Sequence, residues 1–301
     1  MSVIRPPVKA LPASFGALGF VTPDQARKVP GRKVRRLLIA TEGPSDTGKT
    51  EFLLTCPGPG LILACDRGFD ATFDNPKPPS TRRSDFGVRV MKMPSATQFR
   101  DAKDYLTYWV EYLKTLLAAL ENPDAITVAV DGDNVTWEVQ RLAEHGKLTG
   151  VFPQTKYTDV YAARRALYFR CWEAGKIVVM TNMMRDEFVD MRDADGNIVI
   201  DPSTNEAKRM KTGNKVAAGF PDQEYLWQVR VRHLYTPPTP PTWNKTLKRN
   251  LGGQPAQWGL KITKCKANPE VVGQELWGPD ATFAGLTATC YPHIDPKEWG
   301  L

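Results

Sequence analysis

The run Gly43-Pro44-Ser45-Asp46-Thr47-Gly48-Lys49-Thr50 constrains this chain more than any other stretch. It satisfies the pattern G-x-x-x-x-G-K-[ST] at every required position. Glycines let the backbone curl until several N–H groups converge on one anion. The lysine supplies positive charge for the outer phosphates of a nucleotide, and the threonine hydroxyl is an oxygen ligand for Mg²⁺. The flanks agree with this reading. Arg36 to Thr41 reads as a buried strand, and Lys49 to Cys56 as a short helix stopped by Pro57. A phosphate at such a junction meets unpaired N–H groups and the positive end of the helix dipole. Gly43 to Thr50, with Glu51 in the first helical turn, are therefore the candidate residues for ATP, and Thr50 is a candidate for Mg²⁺.

A loop of this kind needs a sheet to hold it. From Arg36 the apolar pattern alternates between strand and helix, which predicts a mainly parallel sheet covered by helices. Strands are expected at Leu61–Cys65, Val88–Met93, Ile126–Val130 and Ile177–Thr181. A helix is expected from Ser95, where Gln98 completes a capping box, to Asn122-Pro123. Its core stripe reads as Leu106, Trp109, Val110, Leu113, Leu116, Leu117 and Leu120. Two further helices are expected at Val135–Leu142 and Tyr157–Ala174.

In a parallel sheet the carboxyl ends of the strands line one edge, and polar residues there face a common ligand. Asp131 follows Ile-Thr-Val-Ala-Val, so a buried strand would fix its carboxylate beside Mg²⁺. Asp133 is better placed to cap the next helix. Asp66 ends an earlier strand, where a carboxylate can take a proton from an attacking water, with Asp70 as a weaker candidate. Asn182 ends the strand Ile177–Thr181, where an amide can feel the γ-phosphate and relay its loss. Catalytic work is thus assigned to Lys49, Asp66, Asp131 and Asn182.

After Asn182 the alternation stops. Glu187 to Ile200 reads as a hairpin around Asp195-Gly196, and Pro202 to Phe220 as a basic, pliable loop. Arg185, Lys208, Arg209, Lys211 and Lys215 are the candidate nucleic-acid contacts. Glu224 to Tyr235 reads as one long strand, Pro237 to Pro241 as a stiff spacer, and Trp258 to Lys266 as a late strand. Lys264 and Lys266 then share a face, with Lys261 one residue out of register. The organisation expected is a basic, Pro-rich arm over 1–34, a core over 35–268 with an insertion at about 186–222, and a tail over 269–301 carrying Trp277, Phe283 and Trp299.

The net charge of +7 suits a polyanionic partner. No stretch approaches about 18 consecutive apolar residues, so no membrane span is expected. The five cysteines lack C-x-x-C spacing and the three histidines lack metal spacing, which argues against a zinc ribbon or a disulfide framework and fits a reducing cytoplasm.

Taken in order, these pieces resemble the RecA-type recombinase ATPases, and among them the compact phage-encoded ATP-binding proteins linked to single-strand annealing. Gly43 to Thr50 resembles the GPxxxGKT loop. Leu61 to Asp70 resembles the strand with the catalytic carboxylate, which places Asp66 in that role. Val130-Asp131 resembles the Mg²⁺ strand, and Met180 to Arg185 the strand end that senses γ-phosphate and leads into a DNA-binding loop. Leu260 to Lys266 resembles the strand with a K-x-K pair, so Lys264 and Lys266 are expected to reach the ATP of an adjacent subunit. Two positions depart from the family pattern: Asp66 stands for glutamate and Asn182 for glutamine.

The resemblance implies a RecA-like P-loop α/β core with antiparallel late strands and a β-hairpin insertion, binding ATP and Mg²⁺. It implies a DNA-stimulated ATPase in the cytoplasm (the host's, if phage-encoded) acting on single-stranded DNA in recombination or annealing. It also implies a homo-oligomer, ring or filament, with a single-strand-binding or replication protein as a further partner. A hexameric helicase motor, a helicase loader and a nucleotide-binding assembly factor with little hydrolysis stand as alternatives.

Overall fold

A computed structural model describes residues 34–66, 69, 85–91, 102–145, 158–203, 207–240, 242–244 and 249–301. The basic arm, the capping box at Ser95 and Asp70 lie outside them. The chain builds β1 (Leu37–Gly43), α1 (Lys49–Leu53), β2 (Gly60–Ala64), β3 (Phe86–Val90), α2 (Ala102–Glu121), β4 (Thr127–Asp131), α3 (Asp133–His145) and α4 (Thr158–Glu173). It continues with β5 (Ile177–Asp190), β6 (Arg209–Ala217), α5 (Gln223–Leu226), β7 (Val229–Thr236), β8 (Thr242–Asn244), β9 (Arg249–Leu251), β10 (Gln257–Cys265), β11 (Glu275–Trp277) and α6 (Phe283–Cys290).

The central sheet has the order β11-β10-β7-β1-β5-β4-β2-β3, with β6 added to the outer part of β5. Strands from β7 through β3 are parallel, whereas β10, β11 and β6 pair antiparallel. The central strands β1, β4 and the first half of β5 are buried on both faces and therefore consist mainly of apolar residues, with polar residues concentrated at their ends. Leu38, Ala40, Val128, Val130 and Met180 face a layer of α2, α3 and α4. Leu37, Ile39, Ala129 and Val179 face Phe52 and Leu53 of α1, Phe283 and Leu286 of α6, and Trp299. Burying both faces of a parallel sheet is what makes the strands readable as continuous apolar runs. Among the described residues, no helix is long and apolar enough to cross a membrane.

Four sequence expectations need correction. First, α2 turns a different stripe to the core: Tyr105, Tyr108 and Tyr112 are buried beside Trp109, Leu116 and Leu120, while Leu106 and Val110 are exposed. Tyrosine carries more apolar surface than its hydroxyl suggests, and Trp109 stacks on Tyr112 at 5.3 Å between centroids. Second, residues 209–217 form a strand and not a loop. β5 runs unbroken over its 14 residues, from Ile177 past Asn182 to Asp190, and β6 folds back on its outer part as a two-stranded ribbon. The Asp195-Gly196 turn is present near its end, with Gly196 at φ 85° and Asp193 accepting from the Asp195 and Asn197 amides.

Third, Leu226 belongs to the helical turn α5, and the strand begins only at Val229. Fourth, β10 carries a bulge between Ile262 and Lys264. One extra residue shifts the pleat, so Lys261 (opposite Arg232) and Lys264 (opposite Arg230) share a face.

Candidate functional site

The parallel strands β1, β5, β4 and β2 lie side by side, so that Gly43 and Asp131 at the ends of β1 and β4, Asn182 within β5 beside Glu42, and Asp66 two residues past β2 share one edge of the sheet. Beyond β1 the chain turns through Asp46 (φ 60°) and Gly48 (φ 85°), the left-handed region that favours glycine, into α1. Gly43 has no room for a side chain: a Cβ there would lie 2.6 Å from the Thr47 hydroxyl and 2.9 Å from His233. Lys49 is buried inside the loop and donates to the Gly43 carbonyl at 3.1 Å and to the Pro44 carbonyl. Burial lowers its pKa, and the nearby charges of Asp131, Asp66 and Asp46 act in the opposite direction. Pro44, Ser45 and Asp46 are exposed at the tip, and Glu51 is half-buried.

Thr50 and Asp131, 81 residues apart, meet here. The Thr50 hydroxyl donates to Asp131 Oδ2 at 2.7 Å, and Thr181 donates to Oδ1 at 2.6 Å. The Thr181 oxygen in turn accepts from the Gly132 amide at 2.8 Å. Asp131 is buried. Desolvation raises its pKa, and the two hydroxyl bonds oppose that shift. Asp66 sits against the same corner, where its amide donates to the Asp131 carbonyl at 3.1 Å and its charge acts on both Asp131 and Lys49.

Asn182 is buried, and its Oδ1 accepts no hydrogen bond among the described residues. A Cβ at Gly219 would stand 3.0 Å from that oxygen, and Asn134 fastens the next residue by accepting from the Met183 amide at 3.1 Å. Since β5 lies between the strands of Gly43 and Asp131, Asn182 has a central position on the edge.

The donor set fits a hard divalent cation. A carboxylate and a hydroxyl, both oxygen and 2.7 Å apart beside the phosphate loop, are what Mg²⁺ takes from a protein when phosphates and water complete its shell. Among the described residues no group of three or more His, Cys, Asp or Glu side chains forms a metal cage.

Three features escaped the sequence. Thr181 is the second partner of Asp131, and only its place beside a strand-end polar residue hinted at a role. His233 is fully buried on β7, and its Nδ1 lies 3.2 Å from the Thr47 carbonyl, so it braces the loop. Burial beside Lys49 pushes its pKa down to about 3, which keeps the imidazole neutral. Trp258, half exposed on β10, lies against the loop: a Cβ on Gly48 would be 3.2 Å from its ring. Tyr235 of β7 packs on that indole at 5.6 Å between centroids.

Other candidates are not brought to this edge. Lys264 and Lys266 lie at the opposite end of the sheet, where they donate to the carbonyls of Glu224 and Tyr225. Arg209 pairs with Asp190 at 3.1 Å, and Asp186 takes both Lys211 (2.8 Å) and Lys215. Those two lysines hold the Asp186 carboxyl down at about 2. Arg185 and Lys208 are exposed on the same ribbon.

Compared with known protein families and with curated proteins, the chain matches none.

Proposed function

We propose that this chain is a Mg²⁺-dependent ATPase with a RecA-like core. The observation that carries the reading is the Thr50–Asp131 hydrogen bond at 2.7 Å, which joins the phosphate loop to a buried strand-end carboxylate. Thr50 and Asp131 would hold Mg²⁺, which would supply positive charge against the nucleotide's phosphates. Lys49 stabilises the charge that develops on the transferred group, and Asp66 orients and deprotonates the attacking water. Asn182, with an unpartnered oxygen at the centre of the edge, reports the state of the γ-phosphate to the ribbon that continues from it.

Single-stranded DNA is the proposed effector. The support is that β5 runs unbroken from Asn182 into a ribbon carrying exposed Arg185 and Lys208. The pairing of Arg209, Lys211 and Lys215 with acids makes them weaker candidates for DNA contact. Phosphate release from MgATP should rise when single-stranded oligonucleotide is added at low salt, because phosphate contacts weaken steeply with salt. An ATPase indifferent to DNA from low salt upward would remove the DNA half of the proposal. Tight ATP binding without turnover would leave the assembly-factor reading, which the short Asp66 favours. Unwinding of a forked duplex would instead favour a helicase motor.

The Trp258 indole, stacked beside Gly48, supplies a flat apolar face for the base. Stacking of a base on an aromatic ring contributes about 1–3 kcal/mol. Trp258→Ala should therefore weaken ATP binding by ~5- to ~150-fold while leaving inorganic tripolyphosphate binding unchanged, with Trp258→Phe in between. Equal losses for both ligands in calorimetry would assign Trp258 to loop support instead.

A further inference from the structure

Cys265 and Cys290 lie 25 positions apart, yet the fold brings them together. Cys265 is the last residue of β10 and Cys290 the last of α6. Both are buried, at 3 % and 0 % exposure, in the layer that covers the α1 face of the sheet. Cys265 Sγ lies 4.0 Å from the Cys290 carbonyl oxygen, and the two thiols are hydrogen-bonded to one another. The backbone amides of Asn268 and Ala267, in the turn that leaves β10, also donate to the Cys265 sulfur.

Ordinary apolar burial does not produce this arrangement. Desolvation pushes the buried Cys171 thiol up to about 12 and raises that of Cys65 as well, which leaves both as inert packing groups. At Cys265 the hydrogen bond from Cys290, helped by the two amides, outweighs burial and brings the thiol below its ordinary range. The same bond, with burial, raises Cys290. A sulfur that readily carries negative charge, beside a second sulfur that keeps its proton, is the pairing of an attacking and a resolving cysteine.

The two sulfurs also join parts of the fold that are otherwise held by packing alone. Between them the chain forms β11, the short outer strand paired with Gly259 to Lys261 of β10. Phe283 and Leu286 of α6 belong to one core cluster with Phe52 and Leu53 of α1, and the Phe283 amide donates to the Thr55 hydroxyl at 2.9 Å. A covalent bond from Cys265 to Cys290 would close this stretch into a ring and tie the sheet edge to the helix that backs α1.

We infer that Cys265 and Cys290 are a modification site, forming a reversible disulfide when the protein meets a peroxide. The Cys265 thiolate attacks one peroxide oxygen, the O–O bond breaks and hydroxide leaves, so that sulfur becomes a sulfenic acid and the peroxide is reduced. The Cys290 sulfur then attacks Cys265 Sγ. The S–S bond forms, the S–O bond breaks, and the Cys290 proton leaves with the displaced hydroxyl as water. In sum, two thiols and one peroxide give one disulfide and two waters, and a dithiol reductant restores the thiols. The depth of the pair favours a small peroxide over bulky disulfides as the oxidant.

The test uses the full chain and needs no nucleotide. Reduced protein is exposed to hydrogen peroxide, then denatured, alkylated, digested and mapped by mass spectrometry. The expected product is a Cys265–Cys290 peptide pair, two hydrogens lighter than the free thiols, with Cys56, Cys65 and Cys171 alkylated and the link lost after dithiothreitol. The oxidised protein should melt roughly 5–10 °C above the reduced one, because the link restricts the unfolded chain. Cys290→Ser should show no such rise and should accumulate a Cys265 sulfenic acid that dimedone traps. Mapping and melting of the wild type decide the matter without any variant. Both thiols alkylated after peroxide, a link through any other cysteine, or Cys265 carried to sulfinic acid beside a free Cys290 overturns the inference. A linked protein that melts no higher than the reduced one also overturns it, since the native fold then does not accommodate the bond.

Discussion

Lys49→Ala should reduce ATP turnover by about 10³-fold while leaving the fold intact. Removing one preorganised donor from a site of developing charge costs about 10²–10³ in rate, and here the donor carries a full charge in a buried loop. Lys49 is buried and, among the described residues, donates to the carbonyls of its own loop, at Gly43 and Pro44. Its loss therefore leaves two backbone acceptors beside the phosphate site, where water can reach them, and leaves the sheet untouched. Steady-state phosphate release, with thermal unfolding in parallel, makes the check. A variant that keeps more than about a tenth of wild-type turnover would be incompatible with the proposed site. Lys49→Arg should not rescue, because a planar fork does not replace a compact ammonium within the tight loop.

The largest effect on stability should come from Arg164→Ala or Asp133→Ala. Both side chains are fully buried and 2.5 Å apart, linking α4 to the start of α3. Asp133 also accepts from the Tyr168 hydroxyl at 2.7 Å, and Arg164 donates to the Thr136 hydroxyl at 2.8 Å. Asp133, with the tyrosines, keeps the guanidinium protonated by raising its pKa against the effect of burial. Removing either partner leaves an uncompensated buried charge, which costs about 3–5 kcal/mol. The double variant Asp133→Leu/Arg164→Met should recover much of that loss, since apolar packing of similar volume often replaces a buried pair without penalty. Urea unfolding of the three variants tests this. A double variant that loses the sum of the two single losses would show that the pair is not energetically coupled. The network also touches the site: Asp133 follows Asp131-Gly132, and Asn134 beside it holds the Met183 amide.

How much was legible in the sequence varied with the kind of signal. Gly43 to Thr50 could be read because its chemistry is consecutive, so spacing alone states the geometry. Ile126–Val130 and Ile177–Thr181 could be read because burial on both faces leaves nearly continuous apolar runs, each with a single threonine. The core stripe of α2 differs from the expected one because Tyr105, Tyr108 and Tyr112 bury their rings, Tyr112 fully, while Leu106 and Val110 are exposed. The ribbon was misread because its register shifts between Asp186 and Phe188. An irregular, Gly-containing return strand looks like a loop until its partner is known.

By itself, the sequence determined the Gly43–Thr50 pattern, the strands behind it and the carboxylates at or just past their ends, since these depend on neighbours a few residues away. Tertiary structure alone decided that Thr181 shares Asp131 with Thr50, that His233 and Trp258 reach the loop from β7 and β10, and that Lys264 and Lys266 point away from it. It also decided that Arg209, Lys211 and Lys215 of the ribbon meet acids across the strand pair. The reason is physical: these contacts join residues up to about 200 positions apart. They are fixed by strand order and a single bulge, neither of which leaves a local trace in composition or spacing.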